Sequence, residues 1–336
     1  MKPIIKWIMI ITVIILSIAY LVFLFYYVKP NRDYFKNRER ITVKPIISSD
    51  SIKNAIHFLP TGTSDAILIE SDGHFALVDC GEDTDNPRGF EALELPGFED
   101  DILDYLKKNV SDENGEIHLD FILGTHSHSD HLGGFDTIIA DKNVFVDRAY
   151  LKRYDESRIR SSEIVEWDNK EVYEQTVNAL NEKNIPIISD ITEKQFKLGE
   201  MSITLFNTEY ETEKTDIGEN DNSIGVLVEL YGKKVFLAAD IDNKTGDEDR
   251  LAPEIGKVDI LKVGHHSYSG STTPKWLKTL SPDVCVVTND YERTDKDTLR
   301  RITRICHSPI LVTGSENGVI AQFNEDGTLS YFNEIV

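Results

Sequence analysis

The chain has 336 residues, 40% of them hydrophobic and 28% charged, and its formal net charge is −22. This composition excludes a disordered protein, and the length suffices for one large α/β domain or two smaller ones. A chain this acidic repels a phosphate backbone, which argues against general binding of nucleic acid. The net charge is still compatible with a local basic groove.

The first predicted element is an apolar helix near the N-terminus. The run from Ile8 to Val28 carries no charged side chain, and Lys2 and Lys6 precede it. As a helix it would extend about 31 Å, roughly the thickness of the hydrocarbon core of a bilayer. A cleaved signal peptide is the alternative, but no Ala-x-Ala-like site follows. We therefore expect an uncleaved transmembrane anchor over residues 1–28 that contacts the lipid bilayer through residues 8–28.

A polar juxtamembrane linker is predicted for residues 29–50, and a folded hydrolase domain for residues 51–336. Short apolar runs separated by turn residues predict strands at 55–59, 66–69 and 75–78, and a helical stripe follows at 98–106. Residues 170–183 favour a helix, and residues 197–206 favour a hairpin. The segment 148–168 is interpreted as a surface insertion.

The last third of the chain alternates between strands and helices. Strands are expected at 258–263, 284–288, 310–313 and 319–323, with helices at 274–280 and near 296–306. Residues 64–81 also resemble residues 222–241 in strand length, turn and terminal Asp. If this repeat is genuine rather than chance, it indicates two similar sheets packed face to face with helices outside.

The chemistry is concentrated in His126-x-His128-x-Asp130-His131, directly after a predicted buried strand. Two histidines that are two residues apart can point the same way and converge on one metal ion. Asp130 and His131 continue the turn and can face a second ion. Three histidines and an aspartate within six residues therefore predict a metal centre. Cys80, Cys285 and Cys306 fit no metal-ligand spacing.

This motif resembles the signature of the metallo-β-lactamase superfamily, and the resemblance covers most of residues 52–335. It implies an α/β fold, namely a four-layer αββα sandwich, here preceded by the transmembrane helix. By the same resemblance, Asp79 in "LVDCG" holds a metal ligand in place without binding the metal itself. Asp240 in "VFLAAD" bridges two ions, and His265 in "ILKVGHH" is the last histidine ligand. The neighbouring His266 is assigned either to substrate binding or to a structural role.

One departure from the superfamily pattern narrows the resemblance. No histidine occurs from residue 132 to residue 264, where many members supply a further ligand. The corresponding place is "ENDNS", in which Asn222 precedes a strand. This pattern is similar to the C-terminal domains of competence DNA-uptake proteins and to the catalytic modules of surface phosphorylcholine esterases. Asn222 is therefore expected to donate a hydrogen bond to a substrate phosphate oxygen.

The resemblance implies a membrane-anchored hydrolase with two zinc ions, although the ligand types also suit manganese or iron. His126 and His128 would hold the first ion, and Asp130, His131 and His265 the second. A metal-bound hydroxide would attack a phosphodiester or phosphoryl ester, small or surface-attached, with Asp130 as proton acceptor. The alternatives are a competence-type nuclease, which the acidic charge disfavours, and a metal-bound binding module without turnover. A lactamase or thioesterase is a further alternative.

Two arguments conflict over the side of the membrane. Lys2 and Lys6 precede the apolar run, whereas five basic residues follow it within a dozen positions: Lys29, Arg32, Lys36, Arg38 and Arg40. The positive-inside rule thus places the hydrolase domain in the cytoplasm. Large domains often override this rule, and the related esterases and DNA-uptake domains act outside. We expect a single-pass protein of the cell membrane with an extracellular catalytic domain.

Overall fold

The computed structural model describes residues 2–45, 52–84, 95–209, 216–333 and 335. The chain begins with helix α1 (Lys2–Phe23), which continues through a π-helical turn (Leu24–Val28) into α2 (Lys29–Arg38). This continuous helix is long and apolar enough to cross a membrane, with a mean hydropathy of 3.0 over its most apolar window, and none of that window is buried. The sequence therefore predicted this element correctly.

The strands form two large sheets and one small one. Their bounds in chain order are β1 Val43–Pro45, β2 Ala55–Phe58, β3 Ala66–Ser71, β4 His74–Cys80, β5 Ile117–Leu119, β6 Phe121–Gly124, β7 Val144–Val146, β8 Ala149–Leu151, β9 Ile187–Ile188, β10 Gln195–Leu198, β11 Met201–Phe206, β12 Gly225–Leu230, β13 Lys233–Leu237, β14 Ile260–Lys262, β15 Val284–Val287, β16 Ile310–Val312, β17 Val319–Phe323 and β18 Leu329–Asn333. The first sheet has the order β1-β18-β17-β2-β3-β4-β6-β8-β9, and the second has the order β10-β11-β12-β13-β14-β15-β16.

In the part of the chain that the structure describes, nine further α-helices connect these strands. They are α3 Glu99–Asn109, α4 Ser129–Leu132, α5 Phe135–Ala140, α6 Ser161–Glu166, α7 Asn169–Glu182, α8 Asp247–Ile255, α9 Pro274–Leu280, α10 Lys296–Ile305 and α11 Thr313–Glu316. The predicted helices near 98–106, 170–183, 274–280 and 296–306 are all present.

Three hydrophobic cores define the order of the layers. The central core lies between the two large sheets and joins side chains such as Phe58 and Phe121 to Val226 and Val286. A second core packs α3, α5 and α7 on the first sheet. The third packs α8, α9 and α10 on the second sheet. The molecule is therefore the expected four-layer αββα sandwich.

Two expectations about the organisation of the chain were wrong. Residues 29–45 are not a free linker, because α2 packs against α10 and β1 pairs in parallel with β18; residues 46–50 lie outside the described part. Residues 148–168 are not a surface insertion. They contain β8, a buried strand that pairs with β6 inside the first sheet, and they contain buried residues such as Arg158.

The parallel strands explain where a site can form. β4, β6 and β8 run parallel in the first sheet, and β13, β14, β15 and β16 run parallel in the second. Parallel strands end at the same edge of a sheet, so the loops after them converge. Asp79, the His126 motif, Asp240 and the His265–His266 pair all follow or end these strands.

Candidate metal centre

The His126 motif lies where β6 ends and α4 begins. β6 is a buried apolar strand, and His128 is the N-terminal cap position of α4, whose first turn carries Asp130 and His131. The short helix reverses the chain, so that side chains from both the loop and the helix face the same space. Every side chain of the motif is buried.

A first group of ligand atoms comes from His126, His128 and Asp240. The Nε2 atom of His126 lies 3.0 Å from Nδ1 of His128 and 3.9 Å from Oδ2 of Asp240. The three atoms are close enough to hold one ion.

A second group comes from Asp130, His131 and His266. The Nε2 atom of His266 lies 3.2 Å from Nε2 of His131 and 3.5 Å from Oδ2 of Asp130. Oδ1 of Asp240 lies 3.2 Å from Nε2 of His131 and 3.3 Å from Nε2 of His266. One carboxylate thus faces both groups, one oxygen to each, as a bridging ligand would.

Each of the four imidazoles is held by the ring nitrogen that points away from the centre. His126 Nδ1 lies 3.1 Å from the Thr125 hydroxyl, and His131 Nδ1 lies 2.7 Å from Asp79. His128 Nε2 lies 3.0 Å from Glu163, and His266 Nδ1 lies 3.1 Å from the carbonyl of Thr288. Such partners fix the tautomer and orient the free nitrogen, as they do around metals in proteins.

Negative charge is in excess inside this cluster. Four carboxylates are buried here, and among the described residues one buried lysine ammonium faces them. The carboxylates belong to Asp65, Asp79, Asp130 and Asp240, and the ammonium belongs to Lys262. Oδ1 of Asp240 is buried and makes no hydrogen bond of good geometry. Buried charges of one sign are costly unless a counter-charge is near. A cation with two or more positive charges therefore suits this donor set.

The pKa values of the imidazoles follow the same charge distribution. Burial, together with the neighbouring imidazoles, holds the pKa of His126 well below its usual value, so its ring is neutral. Burial also lowers the pKa of His131, but Asp240 and Asp79 outweigh it and raise that pKa well above the usual value. The same carboxylates that attract a proton to His131 would attract a metal ion.

The structure reverses the roles expected for His265 and His266. His266 is fully buried in the second group of ligand atoms, whereas His265 is partly exposed, with Nε2 3.8 Å from Oδ2 of Asp240. Residues 265–267 adopt positive φ angles of 48°, 47° and 73°, which are strained for residues other than glycine. This backbone turn points the second histidine inward, and Asn289 supports it by donating to the carbonyl of His266 over 2.9 Å.

Asn222 is not placed to contact a substrate. Its side-chain amide donates to the Glu219 carboxylate over 2.9 Å, and its backbone carbonyl accepts a hydrogen bond from the Lys152 ammonium. Asn220, two residues earlier on the same 3-10 turn, faces the site instead, and its amide nitrogen lies 3.3 Å from Nε2 of His265. The structure therefore brings Asn220, and not Asn222, to the cavity.

An open cavity of about 650 Å³ lies over the cluster. Its floor includes His128, Asp130, Asp240 and His265. Its walls include two aromatic side chains, Trp167 and Tyr268, and three cationic ones, Arg160, Lys244 and Arg293. Trp167 stacks on His128 with ring centroids 4.9 Å apart. The cavity thus combines buried ligand atoms, aromatic surface and side chains of both charges, since Glu163, Asp221 and Asp242 line it as well.

Besides Asn220, sequence reasoning missed Glu163, Trp167 and Asp65. Glu163 and Trp167 come from the segment that was interpreted as an insertion, and Asp65 precedes β3 in the run "TGTSDA". Asp65 pairs with Lys262 and accepts a hydrogen bond from Thr288 over 2.5 Å. Lone acidic residues in polar loops give no local signal, because their partners come from distant parts of the chain.

Comparison with known proteins agrees with this geometry. The beta-lactamase superfamily domain matches residues 76–273, which is more than half of the chain and contains the whole ligand cluster. This chain is a member of the β-lactamase superfamily. The resemblance inferred from the His126 motif is confirmed, and membership supports a metal-dependent hydrolase.

Two curated relatives within this superfamily match the chain at modest identity. ComE operon protein 3 of Bacillus subtilis is 26% identical over 223 residues, which cover 64% of this chain and 26% of that protein. Recombination protein 2 of Haemophilus influenzae is 27% identical over 233 residues, which cover 69% of this chain and 24% of that protein. The chain spans about a quarter of the length of the curated relatives it matches.

Two solved structures are similar to the chain. The metallo-β-lactamase fold protein YhfI of Bacillus subtilis has 13% identity and a TM-score of 0.48, covering 82% of this chain and 98% of that one. Zn²⁺-bound PqqB of Methylobacterium extorquens has 12% identity and a TM-score of 0.41, covering 74% and 84%.

Proposed function

We propose that the chain is a membrane-anchored, two-metal phosphodiesterase, acting on a phosphodiester or phosphoryl ester. The observation that carries this proposal is the pair of ligand groups around Asp240, which lie under a cavity whose walls include three cationic side chains. Metal ions would offset the carboxylates of the lining, and the cations would then pair with the oxygens of an anionic substrate. Zinc suits the imidazole and carboxylate donors, and manganese or iron suits them nearly as well.

The side chains divide the work of hydrolysis. Bound metal ions would supply Lewis acidity and lower the pKa of water. Asp130, which lines the cavity, would accept a proton from the attacking water. Asn220 and His265 line the same cavity and would hydrogen-bond an ester oxygen. Arg160, Lys244 and Arg293 would offset the negative charge of the phosphoryl group.

A panel of substrates tests the proposed reaction. The metal-loaded full chain in detergent is given bis(4-nitrophenyl) phosphate, choline phosphodiesters, single- and double-stranded DNA, a lactam and a thioester. We expect turnover of the small diesters and weak or no cleavage of duplex DNA. Asp130→Asn should abolish turnover, whereas Asp155→Asn, on an exposed turn, should not change it.

Other results of this panel would identify a different function. If DNA is degraded faster than small diesters at physiological salt, the protein is a nuclease, a reading that the name of Recombination protein 2 makes worth testing. If no substrate turns over although metal is bound, it is a binding module.

We propose that the apolar helix anchors the protein in the cell membrane with the catalytic domain outside. The length and apolarity of the helix support the anchor. The large size of the folded domain supports the outside location, because large domains translocate largely regardless of the charges that flank the helix. A protease that cannot cross the membrane should remove the domain from intact cells while a cytoplasmic marker survives. Protection until lysis would place the domain in the cytoplasm.

A further inference from the structure

The helix that leaves the membrane is docked on the catalytic domain. Tyr34 of α2 is only 7% exposed, and its ring lies 5.1 Å from the ring of Tyr291, in the loop between β15 and α10. The hydroxyl of Tyr291 donates to the side-chain oxygen of Asn31 over 3.2 Å. Tyr34 also joins the hydrophobic core beneath α8, α9 and α10. The first turns after the membrane are therefore part of the folded domain.

Ionic contacts fix the far end of the same helix. Arg38 donates to both carboxylate oxygens of Glu316, over 2.7 and 2.9 Å. Arg40 donates to the carbonyl of His307 over 2.6 Å. A bidentate arginine–carboxylate contact restricts the relative orientation of the two side chains as well as the distance between them. Together with Tyr34, these contacts hold the domain at one orientation to the helix axis.

Helix α10 reaches the end of the apolar helix itself. The guanidinium of Arg300 lies 4.8 Å from the ring centre of Tyr26 and donates to the carbonyl of that residue. The guanidinium of Arg304 lies 4.5 Å from the ring centre of Phe25. Aromatic rings next to cations are typical of the depth at which lipid headgroups lie. This contact sets the level of the membrane surface along α10.

One loop connects this surface with the cavity. Residues 289–295 carry Tyr291, which packs on α2, and Arg293, which lines the cavity two residues later. Tyr34 lies six residues beyond Val28, or about 9 Å along a helix axis. The docked helix therefore packs on the same loop that forms part of the cavity wall.

The membrane-proximal residues also carry positive charge. Lys29, Arg32, Lys36 and Arg304 are exposed in this region of a chain whose net charge is −22. Basic residues next to a membrane helix bind the anionic surface of a bilayer. Such binding would hold this side of the domain against the headgroups.

We propose that the substrate is a phosphoester in the headgroup of a lipid of the same membrane, a refinement that rests on the proposed phosphodiesterase function and membrane anchoring. Hydrolysis requires only water as co-reactant. The water oxygen bonds to phosphorus, the bond from phosphorus to the leaving alcohol oxygen breaks, and that alcohol departs with a proton. The docked helix would hold the cavity close to the headgroups. This ester bond could then reach the ligand cluster while the lipid stays in the membrane.

The test uses the metal-loaded full chain in lipid nanodiscs. Nanodiscs contain phosphatidylglycerol mixed with either phosphatidylethanolamine or phosphatidylcholine, and headgroup release is followed by ³¹P NMR. Bis(4-nitrophenyl) phosphate is assayed in the same nanodiscs. We expect headgroup release from at least one lipid. The double variant Tyr34→Ala/Arg38→Ala should slow it at least tenfold while turnover of the soluble diester stays within twofold.

A matched control and three contrary results complete the test. Arg153→Ala removes an exposed ion pair with Asp190 and should change neither rate. Turnover of the soluble diester without release from any lipid would overturn the lipid proposal and leave the phosphodiesterase intact. Equal release from the wild type and the double variant would overturn the role of the docked helix. No turnover of either substrate would overturn the proposed function itself.

Discussion

At the scale of single residues, the roles of His265 and His266 are set by the backbone rather than by side-chain type. The two are identical and adjacent, so the sequence cannot distinguish them. The left-handed conformation at residues 265–267 directs His266 to Asp130 and His131 and leaves His265 on the cavity wall. The structure thus supports a different ligand set from the one expected.

This arrangement predicts different results for two similar substitutions. His266→Ala should lower the affinity for one of two metal ions by more than the roughly 10- to 100-fold that is typical when a residue supporting a ligand is lost, because it removes a ligand of the second group itself. His265→Ala should leave metal binding within about threefold and reduce turnover instead. Calorimetric titration of the metal-free chain measures both affinities. The opposite ranking would restore the assignment made from sequence.

Glu163 provides a second prediction at this scale. Its carboxylate contacts His128 Nε2 and accepts a hydrogen bond from the backbone of Glu219, so it orients the ring whose Nδ1 faces the first ion. Glu163→Gln removes the charge that makes His128 basic and should weaken binding of that ion about tenfold. Glu166→Gln, at the exposed end of the same helix, is the matched control. Equal affinities in both variants would show that Glu163 does not support the site.

Most of the site could be predicted where its residues are close together in sequence. The His126 motif is local, and Asp79 and Asp240 end or follow apolar strands. Asn220 and Glu163 could not be identified, because their roles depend on a turn and on packing between distant segments.

At the scale of elements, apolar periodicity predicted the longer helices and the central strands. The predicted internal repeat corresponds to two hairpins, β3–β4 and β12–β13, each followed in its sheet by a parallel strand. The short strand β8 and helix α8 were not predicted. β8 has only three residues, too few to show a period, and α8 begins with an acidic turn and contains Pro253, which argues against a helix in the sequence pattern.

Helix α8 carries a carboxyl group that should make stability depend on pH. Glu248 is buried and accepts hydrogen bonds from the backbone of Thr272 and Thr273. Burial raises its pKa to about 7, and those hydrogen bonds offset only part of the effect. Between about pH 4.5 and 7 the folded chain keeps a proton that the unfolded chain releases. The free energy of unfolding should therefore fall as pH rises through this window, by up to about 3 kcal/mol.

Urea unfolding at pH 5 and pH 8 measures this effect. Glu248→Gln cannot titrate and should reduce the difference between the two pH values. Glu254→Gln, exposed on the same helix, should keep the wild-type difference. An unchanged difference in Glu248→Gln would assign the pH dependence to other groups.

At the scale of the whole molecule, the apolar N-terminal helix and the folded domain form one unit through α2 and β1. A chain of residues 29–336 should therefore be more stable than one of residues 46–336, by about 2 to 3 kcal/mol, because the shorter chain loses the burial of Tyr34 and its packing on Tyr291. Urea unfolding measures the difference. Tyr34→Ala in the longer chain should remove most of it. Equal stability of the two chains would show that α2 is a linker after all.

The central claim is that two groups of ligands around Asp240 hold two metal ions. Elemental analysis of the gently purified full chain tests it most directly, because the ligand atoms divide into two sets that share one carboxylate. We expect about two transition-metal ions per chain. Asp240→Ala should lose much of this metal, whereas Asn222→Ala should keep it. Less than half an ion per chain, not restored by added zinc or manganese, would contradict it.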